Sequence, residues 1–176
     1  MGSGGSTQFY QLTPAEEQDF AALSQEEQQK ISTALSRLEE DRAQASGWDN
    51  IINAAGAGLV QTVRRFLQED PAAVQSTDEN GRTALQLAAL NRHAQVVKEL
   101  LAARAAVQAA DHDGDTSLHH AAFGSSAEVV QDLLAARADV DAKNNNGRTA
   151  LDFAQMKGCQ DVVALLSFAT WQRFHT

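Results

Sequence analysis

Three consecutive blocks of 33 residues decide the fold: DENGRTALQLAALNRHAQVVKELLAARAAVQAA (78 to 110), DHDGDTSLHHAAFGSSAEVVQDLLAARADVDAK (111 to 143) and NNNGRTALDFAQMKGCQDVVALLSFATWQRFHT (144 to 176). Glycine, threonine, leucine and alanine recur at the same offsets in all three, as at Gly81, Thr83, Leu85 and Ala88. A Val-Val pair and a leucine keep the same register. Self-similarity at this period predicts a solenoid, in which each repeat stacks on its neighbours.

Each block predicts a turn followed by two helices. The Asn-Gly and Asp-Gly steps favour a turn because glycine accepts a positive φ without steric cost. A threonine then stands where a helix N-cap is wanted, and the residue three positions later can complete a capping box. These pairs are Thr83 with Gln86, Thr116 with His119 and Thr149 with Asp152. The first helix has a face of small residues at its Ala-Ala pair, and the second has apolar residues that recur at helical spacing. Each helix therefore has an apolar face that it cannot bury without a neighbouring repeat.

The pattern resembles the ankyrin repeat: G-x-T-x-L-x-x-A-A, then V-V-x-x-L-L, then ADVDA at residues 138 to 142. The Thr-Pro-Leu-His tetrapeptide of that family stands here as TALQ, TSLH and TALD. The resemblance implies an all-α solenoid of helix-turn-helix units with β-turn tips. The family usually has a left-handed glycine after the second helix, where this chain has Arg104 and Arg137. Each arginine would cost about 1 kcal/mol relative to glycine.

A weaker block from Trp48 to Thr77 extends the repeats toward the N-terminus. Its Ala54-Ala55 pair matches the first helix, and one extra residue near Glu69, Asp70 and Pro71 fits an atypical first repeat. We therefore expect a flexible terminus or tag remnant over 1–12, a helical N-terminal extension or cap over 13–45 and an ankyrin-repeat domain over 46–176. The expected repeats are 46–77, 78–110, 111–143 and 144–176.

Both ends of the chain carry helical signals. Capping-box patterns at Thr13 and Ser24 predict helices near 14–23 and 25–43, the second with an apolar face at Ile31, Leu35 and Leu38. We expect this extension to cover the first repeat. At the other end, Phe168, Trp171 and Phe174 recur at helical spacing and are expected to fold over the last repeat as a cap. A truncation point or a self-association surface is the alternative for the tail.

Composition narrows the class of function. The net charge of -9 provides no sequence-wide field for a phosphate backbone, so nucleic acid is not an expected partner. Membrane insertion is not expected either, because no run approaches the roughly 18 apolar residues of a spanning helix. The single cysteine, Cys159, cannot form an internal disulfide, which fits a cytoplasmic or nuclear location.

The stretch DHDGDTSLHHAAF, from Asp111 to Phe123, invites a metal-site interpretation that its spacing does not support. A calcium loop needs glycine at its sixth position and an acid at its twelfth, which are Thr116 and Ala122 here. His119 and His120 are adjacent and point to different sides of a helix, unlike a zinc-binding pair. We expect no metal, no cofactor and no catalytic activity. We expect His120, the counterpart of Leu87 and Phe153, to be a neutral histidine in the core.

Function is expected at the positions that the repeat leaves free. By its resemblance to ankyrin proteins, the chain should bind partners through the turn tips and the exposed side of the first helices. The tip positions are Glu79, Asn80, Arg82, His112, Asp113, Asp115, Asn145, Asn146 and Arg148. The helix positions are Leu90, Asn91, Phe123, Gly124, Met156 and Lys157.

Leu90, Phe123 and Met156 are spaced so that stacking should align them as an apolar stripe, which suggests a protein or peptide groove. Alternatively, each packs against neighbouring helices. The leading hypothesis is a non-enzymatic protein-binding module or scaffold, monomeric, with a polypeptide partner. The alternatives are a self-associating structural element that uses the leader helix or the aromatic tail, and a regulatory ankyrin domain of a larger signalling protein or bacterial effector.

Overall fold

A computed structural model of the chain describes residues 24–27, 29–30, 33 and 50–175. Two compact units are distinguished, Met1–Leu38 and Glu39–Thr176. In the first, the backbone N–H and the hydroxyl of Ser24 donate to Oε2 of Glu27 at 3.0 and 2.7 Å, which confirms the capping box at this serine. The helix expected near 14–23, and most of the one expected near 25–43, lie outside the described residues.

The second unit is built from successive pairs of helices. In chain order they are α1 (Ile51–Gly56) and α2 (Val60–Glu69), α3 (Ala84–Leu90) and α4 (Ala94–Ala102), α5 (Ser117–Gly124) and α6 (Ala127–Ala135), and α7 (Ala150–Lys157) and α8 (Gln160–His175). A short 3₁₀ helix, Pro71–Gln75, follows α2 at the expected extra residue. The odd-numbered inner helices contact one another in order, as do the even-numbered outer helices. The expected all-α solenoid of helix-turn-helix units is confirmed.

The threonine caps predicted at the inner helices are present, and two of their partners also reach the next repeat. Oε1 of Gln86 accepts the N–H of Thr83 at 2.6 Å, while its Nε2 donates to the carbonyls of Ala109 and Asp115 at 3.0 and 2.8 Å. Nδ1 of His119 accepts the Thr116 N–H at 3.1 Å, and its Nε2 lies 3.0 Å from the carbonyl of Arg148. Each of these two buried side chains thus caps its own helix and also joins two repeats.

Small residues let the inner helices approach closely. The Ala-Ala pairs at 54–55, 88–89 and 121–122 are fully buried. At Gly124, a Cβ would lie 2.6 Å from the carbonyl oxygen of Leu90, so only glycine fits between α3 and α5 at this point. Leucines and valines of the outer helices complete the core, among them Val97, Leu100, Val130, Leu133 and Leu166.

His120 does not lie in the core, and the expectation that it does is wrong. Its side chain is 13% exposed, and its Nε2 lies 2.8 Å from Oδ2 of Asp111. Leu87 and Phe153, its counterparts, are likewise only partly buried. In α5 the fully buried positions, such as Leu118 and Ala121, face the helices packed against it. His120 lies at the edge of that buried face.

The C-terminal aromatic residues continue the outer helix rather than covering the last repeat. Phe168 and Trp171 are 57% and 55% exposed and stack with ring centroids 6.2 Å apart, so the expected cap is wrong for these two side chains. The side chain of Phe174 lies outside the described residues. Arg173 donates to Asp139 and Asp141 at 2.6 and 3.0 Å, which joins the end of α8 to the preceding repeat.

Arg104 and Arg137 adopt the left-handed conformation that the repeat imposes, with φ of 62° and 63°. Replacing either by glycine should raise the free energy of unfolding by about 1 kcal/mol, because glycine pays no Cβ penalty there. Replacement by alanine is the matched control, since it removes the same side chain but keeps the Cβ. Urea unfolding of the four variants tests this; equal midpoints for the glycine and alanine variants would contradict it.

His93 makes the stability of the second unit depend on pH. Its ring covers Gly58, where a Cβ would lie 2.6 Å from Nδ1, and its Nε2 lies 3.2 Å from the carbonyl of Gly56. Burial lowers the pKa of His93, and the hydrogen bond to Gly56 opposes this only in part. The unfolded chain therefore binds the proton more tightly than the folded chain does. This contribution to stability is present above the ordinary histidine pKa of about 6.5 and is lost as the pH falls below it.

We expect His93→Gln, which keeps an N–H donor, to reduce the loss of stability between neutral and mildly acidic pH. The measurement is the urea midpoint of both proteins at several pH values across that window. The two proteins share every other titrating group, so their difference isolates the histidine. Parallel curves would exclude the assigned role of His93.

Candidate partner-binding surface

The turn tips are held by one acidic or amide side chain in each of the last three repeats. Oδ1 of Asp111 accepts the backbone N–H groups of Asp113 and Asp115 at 3.0 and 2.9 Å. Asp78 does the same in the preceding repeat and Asn144 in the following one. A carboxylate or amide oxygen that accepts nearby backbone N–H groups closes the turn locally. Each tip is therefore shaped by its own sequence.

Neighbouring tips are also bonded to each other. The N–H of His112 donates to the carbonyl of Asn80 at 3.0 Å, and the N–H of Asn145 donates to the carbonyl of Asp113 at 3.0 Å. The Asn145 side chain adds a bond to the carbonyl of His112 at 2.9 Å. These bonds fix the spacing between tips and leave most of their side chains facing solvent.

The predicted tip residues divide into exposed and internally bonded groups. The exposed residues are Glu79, Asn80, His112, Asp113, Asn145, Asn146 and Arg148. Arg82 is half-buried and pairs with Asp78 at 2.7 Å, while Asp115 is half-buried and accepts from Asn144 at 2.8 Å. The exposed group is the part of the tip set that can contact a partner directly.

The three residues of the apolar stripe occupy equivalent positions at the ends of α3, α5 and α7. Phe123 is 44% exposed and Met156 is 64% exposed, whereas Leu90 is half-buried. Large apolar side chains exposed in this way are characteristic of binding surfaces when polar residues surround them. The stripe therefore presents accessible apolar area mainly in the third and fourth repeats.

Phe123 is held by aromatic contacts below and a cation above. Its ring meets Phe153 at 6.1 Å and 72°, and Phe153 in turn meets the buried His119 at 5.7 Å and 87°. The Nζ of Lys157 lies 3.8 Å from the Phe123 ring centroid, a cation–π contact. Edge-to-face contacts restrict the orientation of a ring, so Phe123 is a preorganised anchor.

The remaining two predicted helix positions serve structure. Nδ2 of Asn91 donates to the carbonyl of Gly56 at 2.7 Å, which joins the first and second repeats, although the residue is exposed. Gly124 is buried against the Leu90 carbonyl and contributes no accessible side chain. The usable surface thus contains Phe123, Met156 and Lys157.

The described residues also include the side chains that could form a metal site or a reactive thiol. Within them, no group of three or more His, Cys, Asp or Glu side chains is arranged to hold a metal ion. Cys159 is a free, half-buried thiol whose Sγ lies 3.9 Å from the carbonyl of Ser125. In the part of the chain that the structure describes, no helix combines the length and the apolar character needed to cross a membrane.

A family model described as "Ankyrin repeats (3 copies)" matches residues 20–111 and again residues 103–170. The chain belongs to the ankyrin-repeat family. Ankyrin repeats are generally protein–protein interaction modules, and the family is typically non-enzymatic. The first match begins at residue 20, within the segment expected to form the helical extension. A search of curated proteins found no significant match.

Three features of this ankyrin surface were missed from the sequence. The turn-closing acceptors Asp78, Asp111 and Asn144 do carry a sequence signal, because they recur one repeat apart. The left-handed residues Arg92 and Ser125, with φ of 66° and 60°, follow the inner helices where Gly158 stands in the last repeat. The contact of Lys157 with Phe123 had no sequence signal, because the two residues belong to different repeats.

Asp111→Ala should lower the free energy of unfolding by about 2 kcal/mol, because the backbone N–H groups of Asp113 and Asp115 and the ring of His120 all lose their carboxylate partner. Asp113→Ala, at the same tip but exposed, should change it by less than about 0.5 kcal/mol. Asp111→Asn, the residue of the next repeat, should fall between them since it keeps one acceptor oxygen. Urea unfolding ranks the three; equal losses for Asp111→Ala and Asp113→Ala would show that the turn does not depend on this carboxylate.

Proposed function

We propose that this ankyrin protein is a non-enzymatic module that binds a polypeptide through the face formed by the turn tips and the inner helices. The observation that carries the proposal is the exposure of Phe123 and Met156 beside the rigid tips. An apolar anchor surrounded by polar groups is the usual arrangement of a protein-binding hot spot. In this role the protein acts as a scaffold or adaptor.

The rigidity of the surface supports the same function. The bonds between tips and the edge-to-face ring contacts of Phe123 and Phe153 hold the face in one geometry before a partner arrives. Preorganisation lowers the entropic cost of binding, since fewer side chains must be ordered in the complex. We place the protein in the cytoplasm, with the nucleus as the alternative, because its lone thiol suits a reducing compartment.

A second candidate is self-association through α8. Phe168 and Trp171 form an exposed stacked pair, an apolar area that a second copy of the chain could cover. This candidate predicts that the mass in solution rises with protein concentration. The two functions use different faces and can be tested with one set of variants.

The test compares two paired substitutions. Phe123→Ala with Met156→Ala should abolish capture of partners, which are identified by mass spectrometry and then retested as purified proteins. Both side chains are exposed, so the free energy of unfolding should change by no more than about 1.5 kcal/mol. Circular dichroism checks that the helices remain.

Phe168→Ala with Trp171→Ala is the matched control, because it removes exposed aromatic area from the other face. Under the proposal it leaves capture unchanged and, if α8 mediates self-association, makes the mass independent of concentration. Capture that survives the first pair would reject the proposed binding face. A mass that rises with concentration in the parent but not in the second pair would then support the second candidate.

A further inference from the structure

Charge on the proposed binding face is divided along the solenoid. Arg92 is exposed just after the end of α3, outside the tips. The tips of the second and third repeats expose Glu79 and Asp113, whereas the fourth repeat exposes Arg148 at its tip and Lys157 at the end of α7. Within the described part of the chain, none of these four side chains takes part in an ion pair. Their charges are therefore available to a partner.

The basic end extends to the base of the fourth tip. The pKa of Asp152 is lowered chiefly by the N–H and hydroxyl of Thr149, and the positive charges of Lys143 and Arg148 lower it further. Both bases therefore act at the start of α7, the helix whose other end carries Met156 and Lys157. Arg148 thus precedes the start of α7 and Lys157 ends it, so an acidic group of a partner meets a base at either end of this helix.

Lys157 combines charge with apolar contact. Its ammonium lies 3.8 Å from the face of the Phe123 ring, and the residue is exposed to solvent. A carboxylate that binds the ammonium from the solvent side brings its own chain close to the Phe123 ring. Acidic and apolar groups of a partner would thus be recognised next to each other.

The dimensions of the face set the length of the occupant. Packed helices lie 8–10 Å apart, so two steps from α3 to α7 cover roughly 20 Å. An extended segment rises about 3.3 Å per residue, and about six residues therefore span the face.

Resting on the function proposed above, we propose that the occupant is a short polypeptide segment whose charge is opposite at its two ends. An apolar side chain contacts Phe123, an acidic side chain next to it faces Lys157, and the acidic end of the segment lies on the side of Arg148. A basic side chain faces Glu79 and Asp113. The separation of charge fixes the direction in which the segment lies across the repeats.

The experiment selects displayed random peptides of about twelve residues, longer than the estimated span, against the whole chain. Peptides bound by the parent but not by Phe123→Ala should be enriched in an apolar residue with an acid on one side and a lysine or arginine on the other. Synthetic copies of the selected peptides are then titrated against purified variants.

Lys157→Glu should weaken binding of a selected peptide by about fivefold or more at low salt. Exchanging the acid of the peptide for lysine should restore binding to that variant. Arg137→Glu, the same charge change at an exposed residue after α6, is the control and should leave the affinity unchanged.

The outcomes that overturn the inference are distinguishable. Peptides that depend on Phe123 but show no acid–base order would reject the charge-divided occupant and leave the proposed function standing. Peptides that bind equally well to the Phe123→Ala variant would reject both. No enrichment at all would reject the short segment and leave the proposed function to the capture experiment. Ordered peptides whose affinity responds equally to Lys157→Glu and Arg137→Glu would show a general charge effect and reject the inference.

Discussion

The solenoid depends most on the bonds made by the side chains at the third position of α3 and α5. Gln86 and His119 accept a bond from the capping threonine of their own repeat, and each also bonds to a backbone carbonyl of the next repeat, that of Asp115 and that of Arg148 respectively. A repeat of two short helices cannot bury its apolar face alone, so its stability comes from the contact with its neighbours. These buried polar side chains fix the register of that contact, since any shift would leave their donors unsatisfied.

The register set in the core determines what the surface can offer. Because α5 and α7 are aligned by His119, the ring of Phe153 lies against that histidine and supports Phe123 above it. The tips follow the same alignment through the bond from Asn145 to Asp113. The stacking of the repeats therefore holds the binding face in place. The position of each charge on that face is set by the repeat that carries it.

Features repeated within each block could be predicted, whereas features between blocks could not. The threonine caps, the left-handed Arg104 and Arg137 and the layered helices follow from local rules applied at a fixed period. The prediction for His120 was wrong because the neighbouring helices determine where the buried face of α5 ends. The exposed pair Phe168 and Trp171 was also misassigned, since helical spacing alone does not show whether another element covers that face.

The same limit applies to the candidate surface. Alignment of the blocks predicted the stripe through Phe123, but it could not reveal that Gly124 is enclosed by the Leu90 carbonyl. It also could not reveal that Lys157 reaches back one repeat to the Phe123 ring. Both depend on distances between stacked helices, which the sequence of one repeat does not encode.

Native-state hydrogen exchange of His119→Asp tests the central claim most directly. Aspartate is the residue at this position in the last repeat, where Asp152 caps Thr149, so the substitution keeps a cap and removes the reach to Arg148. Coupling by His119 predicts that amides of α7 and α8 lose about 1–2 kcal/mol of protection more than those of α3. Unchanged protection of α7 and α8 relative to α3 would contradict it.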